Sequence, residues 1–473
     1  MSAISGFICL NKEKRLPAMR LREISDLGAH RGPDATAYFT WKDAGSEAST
    51  STPTKDEPIY CGLGYRHLDL GHDEFNPKIL HQQGLYLLFD GAIFNAPELK
   101  ASLALDEDTT NSQLILTAYQ KWGDSFVNKL LGIWTLAIWD NNTQHLFCSR
   151  DRFGCKPLCY LVQDQAFYFA SEIKQLLPVL ENKEINAQML WRLNKVNGMH
   201  LYQDQTLFEQ IKILEPGQIL SIKHGKIQKE CYYRLDPEKF ETSQLSFEHA
   251  TEYYLELFKE SVRLSTAEPA AIACALSGGL DSTAILAILS KLKSSPVSTF
   301  SSWFKESQLD EREYISLANE SFKAQGTLLA PTAEEAWQSL LDATWYNDLP
   351  LGSGCPAQIS VFRAAQEQGF KVLIGGQGSD ELTAGYRHAQ YRYLADLAHS
   401  GQIPQLISSL KNISHAKSPA KLLSIIAKSG LSLLFPESQL YRQEMKHLHF
   451  EPFSADFLKS AKGADMEALD MPD

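Results

Sequence analysis

The chain has 473 residues, 44% hydrophobic and 22% charged, with a net charge of -12. That length exceeds one ordinary core, so two domains or more are expected. The acidic balance speaks against nucleic acid or an anionic membrane as the main partner, and no apolar stretch nears the roughly 20 residues that span a bilayer.

The N-terminus, from Met1 to Leu10, has no basic region before a long apolar core, so no signal peptide is expected. Short apolar runs at Ile4–Leu10, Tyr60–Leu70, Leu85–Phe89, Trp134–Trp139, His145–Ser149, Leu158–Val162 and Ala166–Ala170 read as strands. The clearest helix among them is Thr110–Trp122. This mixture predicts an α+β first domain over residues 1–234. Trp41 to Pro58 is rich in Ser, Thr, Asp, Glu and Lys and reads as an exposed inserted loop. Cys155 and Cys159 have neither a second cysteine pair nor a nearby histidine, so core packing is expected rather than zinc. The other cysteines, such as Cys148, Cys231 and Cys274 in apolar runs, read as reduced core thiols of a cytoplasmic protein.

Leu235 to Glu248 is polar, contains Pro237, and reads as a link to a second domain over 245–473. There helices alternate with apolar strands: a helix near His249–Ser265, a strand at Ala270–Leu276, a helix at Ser282–Lys293, a strand at Val297–Trp303, a helix at Arg312–Gln325 and a strand at Phe370–Ile374. Such alternation predicts an α/β parallel sheet with ligands at the carboxyl ends of its strands. From about Leu394 the pattern turns helical and basic, with Ser408–Lys428 as a solvated amphipathic helix; Met466 to Asp473 is acidic and expected to fray.

The run Ala275-Leu276-Ser277-Gly278-Gly279-Leu280-Asp281-Ser282 is the sharpest chemical signal. It reads as strand, glycine turn and helix start. Glycines let the backbone approach a ligand closely, and N–H groups at a turn and helix N-terminus face an anion such as pyrophosphate. Asp281 places a carboxylate beside that anion, which calls for a cation such as Mg²⁺ between them. A second apolar strand ends in Gly375-Gly376-Gln377-Gly378-Ser379-Asp380, so Asp380 is a candidate second ligand of the same ion. Ser302, at the end of the strand Val297–Trp303, falls at the same sheet edge. The plainer alternative for both turns is a capped helix start.

Together these turns resemble the asparagine synthetase family, which joins a class II glutamine amidotransferase domain to an ATP-pyrophosphatase-type synthetase domain. Five segments of the first half fall in the family's order: Ala29–Asp34, Leu63–Leu68, Phe89–Asn95, Ser149–Leu158 and Phe169–Lys174. The resemblance implies an Ntn-hydrolase-like αββα sandwich followed by a Rossmann-like nucleotide domain with extra C-terminal helices. It implies ATP and Mg²⁺ use, with Ala275, Ser277, Gly278, Gly279, Leu280, Asp281, Ser282, Ser302, Gly375 and Gly376 at the nucleotide and Asp281 and Asp380 on the metal. Gln377 stands where relatives carry Glu or Gln.

The amidotransferase half departs from the family's pattern. Ser2 stands where the family has the N-terminal cysteine nucleophile, and Cys9 lies within the first strand and cannot replace it. Ala3 follows in place of glycine. His67 stands for the arginine that holds glutamine's carboxylate, Asp90-Gly91 for the Asn-Gly oxyanion element, Ala92 for the glutamate after it, and Asn111 for the aspartate that grips the substrate amine. A carboxylate in an oxyanion hole repels the charge it should stabilise. An inactive glutaminase is therefore expected, although serine serves as an N-terminal nucleophile in some hydrolases. The family's C-terminal lysine at the reacting phosphate or acyl group has no counterpart, and the chain reads as shortened relative to its relatives.

The implied reaction forms an amide. A small-molecule or peptide carboxylate is activated by ATP, with release of pyrophosphate, and ammonia or a substrate amine displaces AMP. Three alternatives remain open from sequence: an ammonia-dependent ligase, a ring-closing amide synthetase of the β-lactam synthetase or lasso-peptide cyclase type, and an incomplete paralogue that binds nucleotide or serves as a subunit. A homodimer, or a partner chain supplying C-terminal elements, is compatible with each.

Overall fold

The computed structural model describes residues 1–71, 80–195, 203–236, 245–266, 271–303, 310–350 and 355–412. The first half is built from two six-stranded sheets. In one, Ala3–Cys9 lies between Ala166–Ala170 and Cys61–His67, all antiparallel, with Ala35–Trp41 at one edge and Cys159–Gln163 and Lys212–Ile213 on the other side. The other runs from the hairpin Gln218–Lys223/Lys226–Cys231 through His145–Arg150, Gly132–Asp140 and Leu85–Ile93 to His81–Gln82.

Side-chain alternation divides each strand between two cores. From Leu85–Ile93, Tyr86 and Leu88 point into the layer between the sheets, where Tyr86 meets Phe39 and Trp41, and Trp41 meets Trp139. Leu87 and Phe89 point the other way, onto Leu114, Ile115 and Phe126 below the helix Asn111–Trp122. That helix is closed by a capping box between Thr110 and Gln113. The helix Ala18–Asp26 covers the outer face of the first sheet through Leu21 and Ile24. The result is the αββα sandwich.

The second half holds a four-stranded parallel sheet in the order Gln325–Leu329, Ser298–Ser302, Ile272–Ala275, Val372–Gly375. The helices Phe247–Ser265, Leu280–Leu292 and Arg312–Phe322 pack Val262, Leu286 and Ile315 on one face around Cys274. The helix Cys355–Glu367 packs Val361 and Ala365 on the other, against Ala273 and Phe300. This is a Rossmann-like arrangement. The chain moves outward from Ile272–Ala275 through two strands, then returns to pair on its opposite side. That reversal leaves a crevice at the carboxyl end of Ile272–Ala275.

Several sequence expectations need correction. The helix starting at Arg312 stops at Phe322, because Lys323 turns left-handed (φ +54°) and caps it, and Gln325 already belongs to a strand. Cys231 and Cys155 are exposed and are not core thiols: Cys231 ends the outermost strand and Cys155 sits in a turn. All eight cysteines are unpaired. The strand Ala35–Trp41, the helix Ala18–Asp26 and the Gln218–Cys231 hairpin have no counterpart in the sequence reading. Most of the link, at 237–244, and nearly all of Ser408–Lys428 lie outside the described residues, as does Met466–Asp473; the helix Ile403–Asn412 covers the start of the former. No described helix is long and apolar enough to cross a membrane.

Candidate functional site

The turn after Ile272–Ala275 lies at the crevice. Leu276 continues the ladder by donating its N–H to Phe300 O at 3.0 Å, after which the chain leaves the sheet. Three hydroxyl contacts set the turn: Ser277 N–H donates to Ser282 Oγ at 3.2 Å, the two serine oxygens lie 3.0 Å apart, and Gly279 N–H donates to Ser277 Oγ at 3.2 Å. Gly278 sits at φ +82°, and a Cβ there would come within 3.1 Å of Tyr314 Cβ and 3.2 Å of Glu311 O, so the position requires glycine. The helix Leu280–Leu292 then begins, with Asp281 half-buried in its first turn, where leading N–H groups have no intrahelical partners.

The second glycine turn meets the first. Gly375 pairs with Ala275 in the sheet register, and a Cβ on Gly376 would lie 3.0 Å from both Asp281 Cβ and Ser282 N. Beyond it Gln377 is exposed, Gly378 takes φ +90°, and Asp380 lies exposed in the first turn of Ser379–Thr383 with its carboxylate against Gly385. Ser302, the last residue of its strand, accepts a hydrogen bond from Ser360 Oγ at 3.3 Å. Leu280 is almost fully exposed. The structure thus brings Ala275, Ser277–Ser282, Gly375 and Gly376 to one crevice. Among the described residues no group of three or more His, Cys, Asp or Glu could hold a metal. Mg²⁺ carried by phosphates keeps several waters and needs only one or two carboxylates from protein. The donor set therefore fits a nucleotide-borne ion, with Asp281 and Asp380 as the carboxylates that would hold it.

The amidotransferase half has a different centre. Ser2 is buried at the start of the central strand, with Leu68 N–H donating to its Oγ at 3.3 Å and Tyr65 Oη 3.1 Å away. Tyr65 Oη also lies 3.0 Å from Phe89 O. Ser2 N–H donates to Asp90 Oδ1 at 3.0 Å. Asp90, 2% exposed, further pairs with Arg31 at 2.9 Å and Lys156 at 3.5 Å. A Cβ on Gly91 would run into Ile133 O, which explains the glycine there. His67 ends the strand Cys61–His67 beside Tyr65, and Asn111 opens the helix Asn111–Trp122.

From Arg31 the charges continue. Its guanidinium donates to Glu172 Oε1 at 3.2 Å. Glu172 also meets His30 at 3.1 Å and Lys174 at 2.6 Å. Burial alone would raise the Glu172 pKa, but the His30 hydrogen bond and the Arg31 and Lys174 charges outweigh it and hold it at about 2. Lys174 then pairs with Asp348 at 3.0 Å. Burial pushes the Asp348 pKa up, because it has one cation where Glu172 has several. Sequence reasoning assigned no role to Arg31, Tyr65, Lys156, Glu172, Lys174 or Asp348. The first five fall within the segments quoted for the family, but only the fold shows that their side chains converge.

Residues 61–233 match the family model described as glutamine amidotransferase domain, and residues 254–470 the model described as asparagine synthase. Amidase chry2 of Gibberella zeae is 28% identical over 440 residues, covering 85% of this chain and 61% of that protein. Asparagine synthetase [glutamine-hydrolyzing] 1 of Bacillus subtilis is 27% identical over 380 residues, covering 77% of this chain and 55% of that protein. The chain therefore spans little more than half the length of these two relatives. Putative asparagine synthetase [glutamine-hydrolyzing] 2 of Methanocaldococcus jannaschii is 27% identical over 489 residues, covering 96% and 88%. An amidotransferase-type half followed by an asparagine synthase-type half places the chain in an asparagine synthetase-like family.

Proposed function

We propose that this chain is an ATP-dependent amide ligase that activates a carboxylate by adenylation and has no glutaminase activity. The contact of Gly376 with Asp281 carries the ligase reading, because it joins two glycine turns, each followed by a carboxylate, at the crevice of a parallel sheet. The turn Ser277–Ser282 binds the phosphates that leave as pyrophosphate. Asp281 and Asp380 hold the Mg²⁺, which neutralises phosphate charge when bound. A substrate carboxylate attacks the α-phosphate, and ammonia or a substrate amine then displaces AMP. The work of these residues is positioning and charge neutralisation.

Calorimetric titration of Mg-ATP is expected to show saturable binding that Asp281→Ala abolishes. No binding by the wild type overturns the ligase reading. ATP–pyrophosphate exchange driven by a carboxylate separates a ligase from a paralogue that only binds nucleotide.

The same proposal explains the silent first half. Both Asp90 oxygens are engaged by Ser2, Lys156 and Arg31, so the site presents a buried anion where an oxyanion would form. With Met1 removed, the Ser2 amine would lie within hydrogen-bond distance of the Asp90 carboxylate, where the family has a neutral asparagine amide. Restoring the thiol by Ser2→Cys is therefore expected to release no ammonia from glutamine. Cysteine-dependent release would show that Asp90 does not block the site.

A further inference from the structure

We propose that the altered amidotransferase centre works as an ionic latch that clamps the nucleotide half onto the first half: a buried chain of alternating charges running Lys156–Asp90–Arg31–Glu172–Lys174–Asp348. This goes beyond the ligase reading and does not depend on it, since the clamp acts on the apo-protein.

Five of the six members belong to the first half, and Asp348 belongs to the second. None is more than 9% exposed along its side chain. Every carboxylate oxygen in the chain has a donor. Asp90 Oδ1 takes Ser2 N–H and Lys156, and Oδ2 takes Arg31. Glu172 Oε1 takes Arg31 and Oε2 takes Lys174. Asp348 Oδ1 takes Lys174, and Oδ2 takes the Ile173 backbone N–H at 2.7 Å. Three cations face three carboxylates, so the chain is internally balanced and can stay dry.

The backbone of Asp348 points to the same role. It caps the helix Ala333–Asn347 in the left-handed conformation, at φ +60°. Glycine is the residue that adopts this conformation without strain. An aspartate kept there is explained by what its carboxylate does across the domain boundary. Around this joint His30 lies against Tyr346, with ring centroids 5.4 Å apart, and Lys174 Nζ stands 5.3 Å from the Trp345 ring.

A second pin lies one helix further along. Lys371 donates to Asp69 O at 2.6 Å and pairs with Asp34 at 3.2 Å. It immediately precedes the strand Val372–Gly375, which delivers Gly376 to Asp281. The helix Cys355–Glu367 thus lies between two contacts with the first half, and the strand that positions the second acidic turn starts at one of them.

The test uses the full chain without nucleotide. Asp348→Gly removes the carboxylate but keeps the backbone conformation. If Asp348 is only a helix cap, glycine relieves strain and raises the thermal midpoint. The latch predicts the reverse: a lower midpoint, and faster hydrogen exchange in peptides covering Ile173–Leu176 and Val372–Gly375. A raised midpoint, or unchanged exchange in both peptides, overturns the proposal. Asp90→Asn tests the relay at its far end. Faster exchange at Ile173–Leu176 is expected there too; exchange confined to the surroundings of Asp90 reduces the latch to an isolated Lys174–Asp348 pair and overturns the chain. Lys371→Ala, at an exposed position, should speed exchange in Val372–Gly375 alone, and no change there removes the second pin. Because every readout is taken without ATP, failure of the latch is distinct from failure of the ligase reading.

Discussion

Arg31→Met should cost the fold about 3–5 kcal/mol, the usual penalty for removing one partner from a buried ionic pair. Arg31 is the hub between Asp90 and Glu172, and burial, which disfavours its charge, is outweighed by those two carboxylates, so its pKa is raised. Methionine fills a similar volume but donates nothing. Asp90 would keep Lys156 at 3.5 Å and the Ser2 amide, and Glu172 would keep Lys174 and His30, yet one positive charge would be missing. The cost appears as a lower denaturant midpoint for the transition of the first half. A loss below about 1 kcal/mol, typical of exposed pairs, would show that water or rearranged neighbours replace the guanidinium.

Acid titration should reveal a second large effect, centred on Glu172. Its pKa falls from 4.5 to about 2 on folding. A group depressed in this way contributes stability above its unfolded pKa and loses it as pH falls towards the folded value. At 1.36 kcal/mol per pKa unit, the contribution is about 3 kcal/mol, fully present above pH 5 and lost between roughly pH 4.5 and 2. Asp348 has the opposite slope, because burial raises its pKa and the folded state holds its proton to higher pH. The measurement is the unfolding free energy from pH 6 to pH 2.5 for wild type and Glu172→Gln. The variant should be less stable at neutral pH and show a flatter acid limb. Parallel limbs would assign the acid loss to other carboxylates.

The second half was the more legible in sequence. An apolar strand followed by Ser277-Gly278-Gly279 and a helical run declares itself locally, and the observed Ile272–Ala275 and Leu280–Leu292 fall close to the expected bounds. The meeting of Gly376 with Asp281 follows from parallel pairing that brings residues nearly a hundred positions apart side by side, which only the strand order decides. Ala35–Trp41 is short and leads directly into the polar run from Trp41 to Pro58, which masks it as part of a loop. The expected helix overran Phe322 because Ala324 prolongs the apolar pattern while Lys323, an ordinary helix former, breaks it by conformation. The charged centre was the least legible. Asp90 showed as a departure from a pattern, but a lone lysine or glutamate in sequence reads as surface, and the partners of Glu172 come from positions 30, 31 and 174.

The place of Ala3–Cys9 has a consequence for how the protein is made. This strand lies inside its sheet, and its partners are Cys61–His67 and Ala166–Ala170. One edge can pair early, but the other must wait until about 160 further residues have been synthesised. High sequence separation between paired strands slows folding and leaves an unpaired edge open to other chains meanwhile. Glu172 and Lys174 follow directly after Ala166–Ala170 and arrive with this pairing, so Arg31 and Asp90 meet the rest of the charged centre late in the life of the nascent chain.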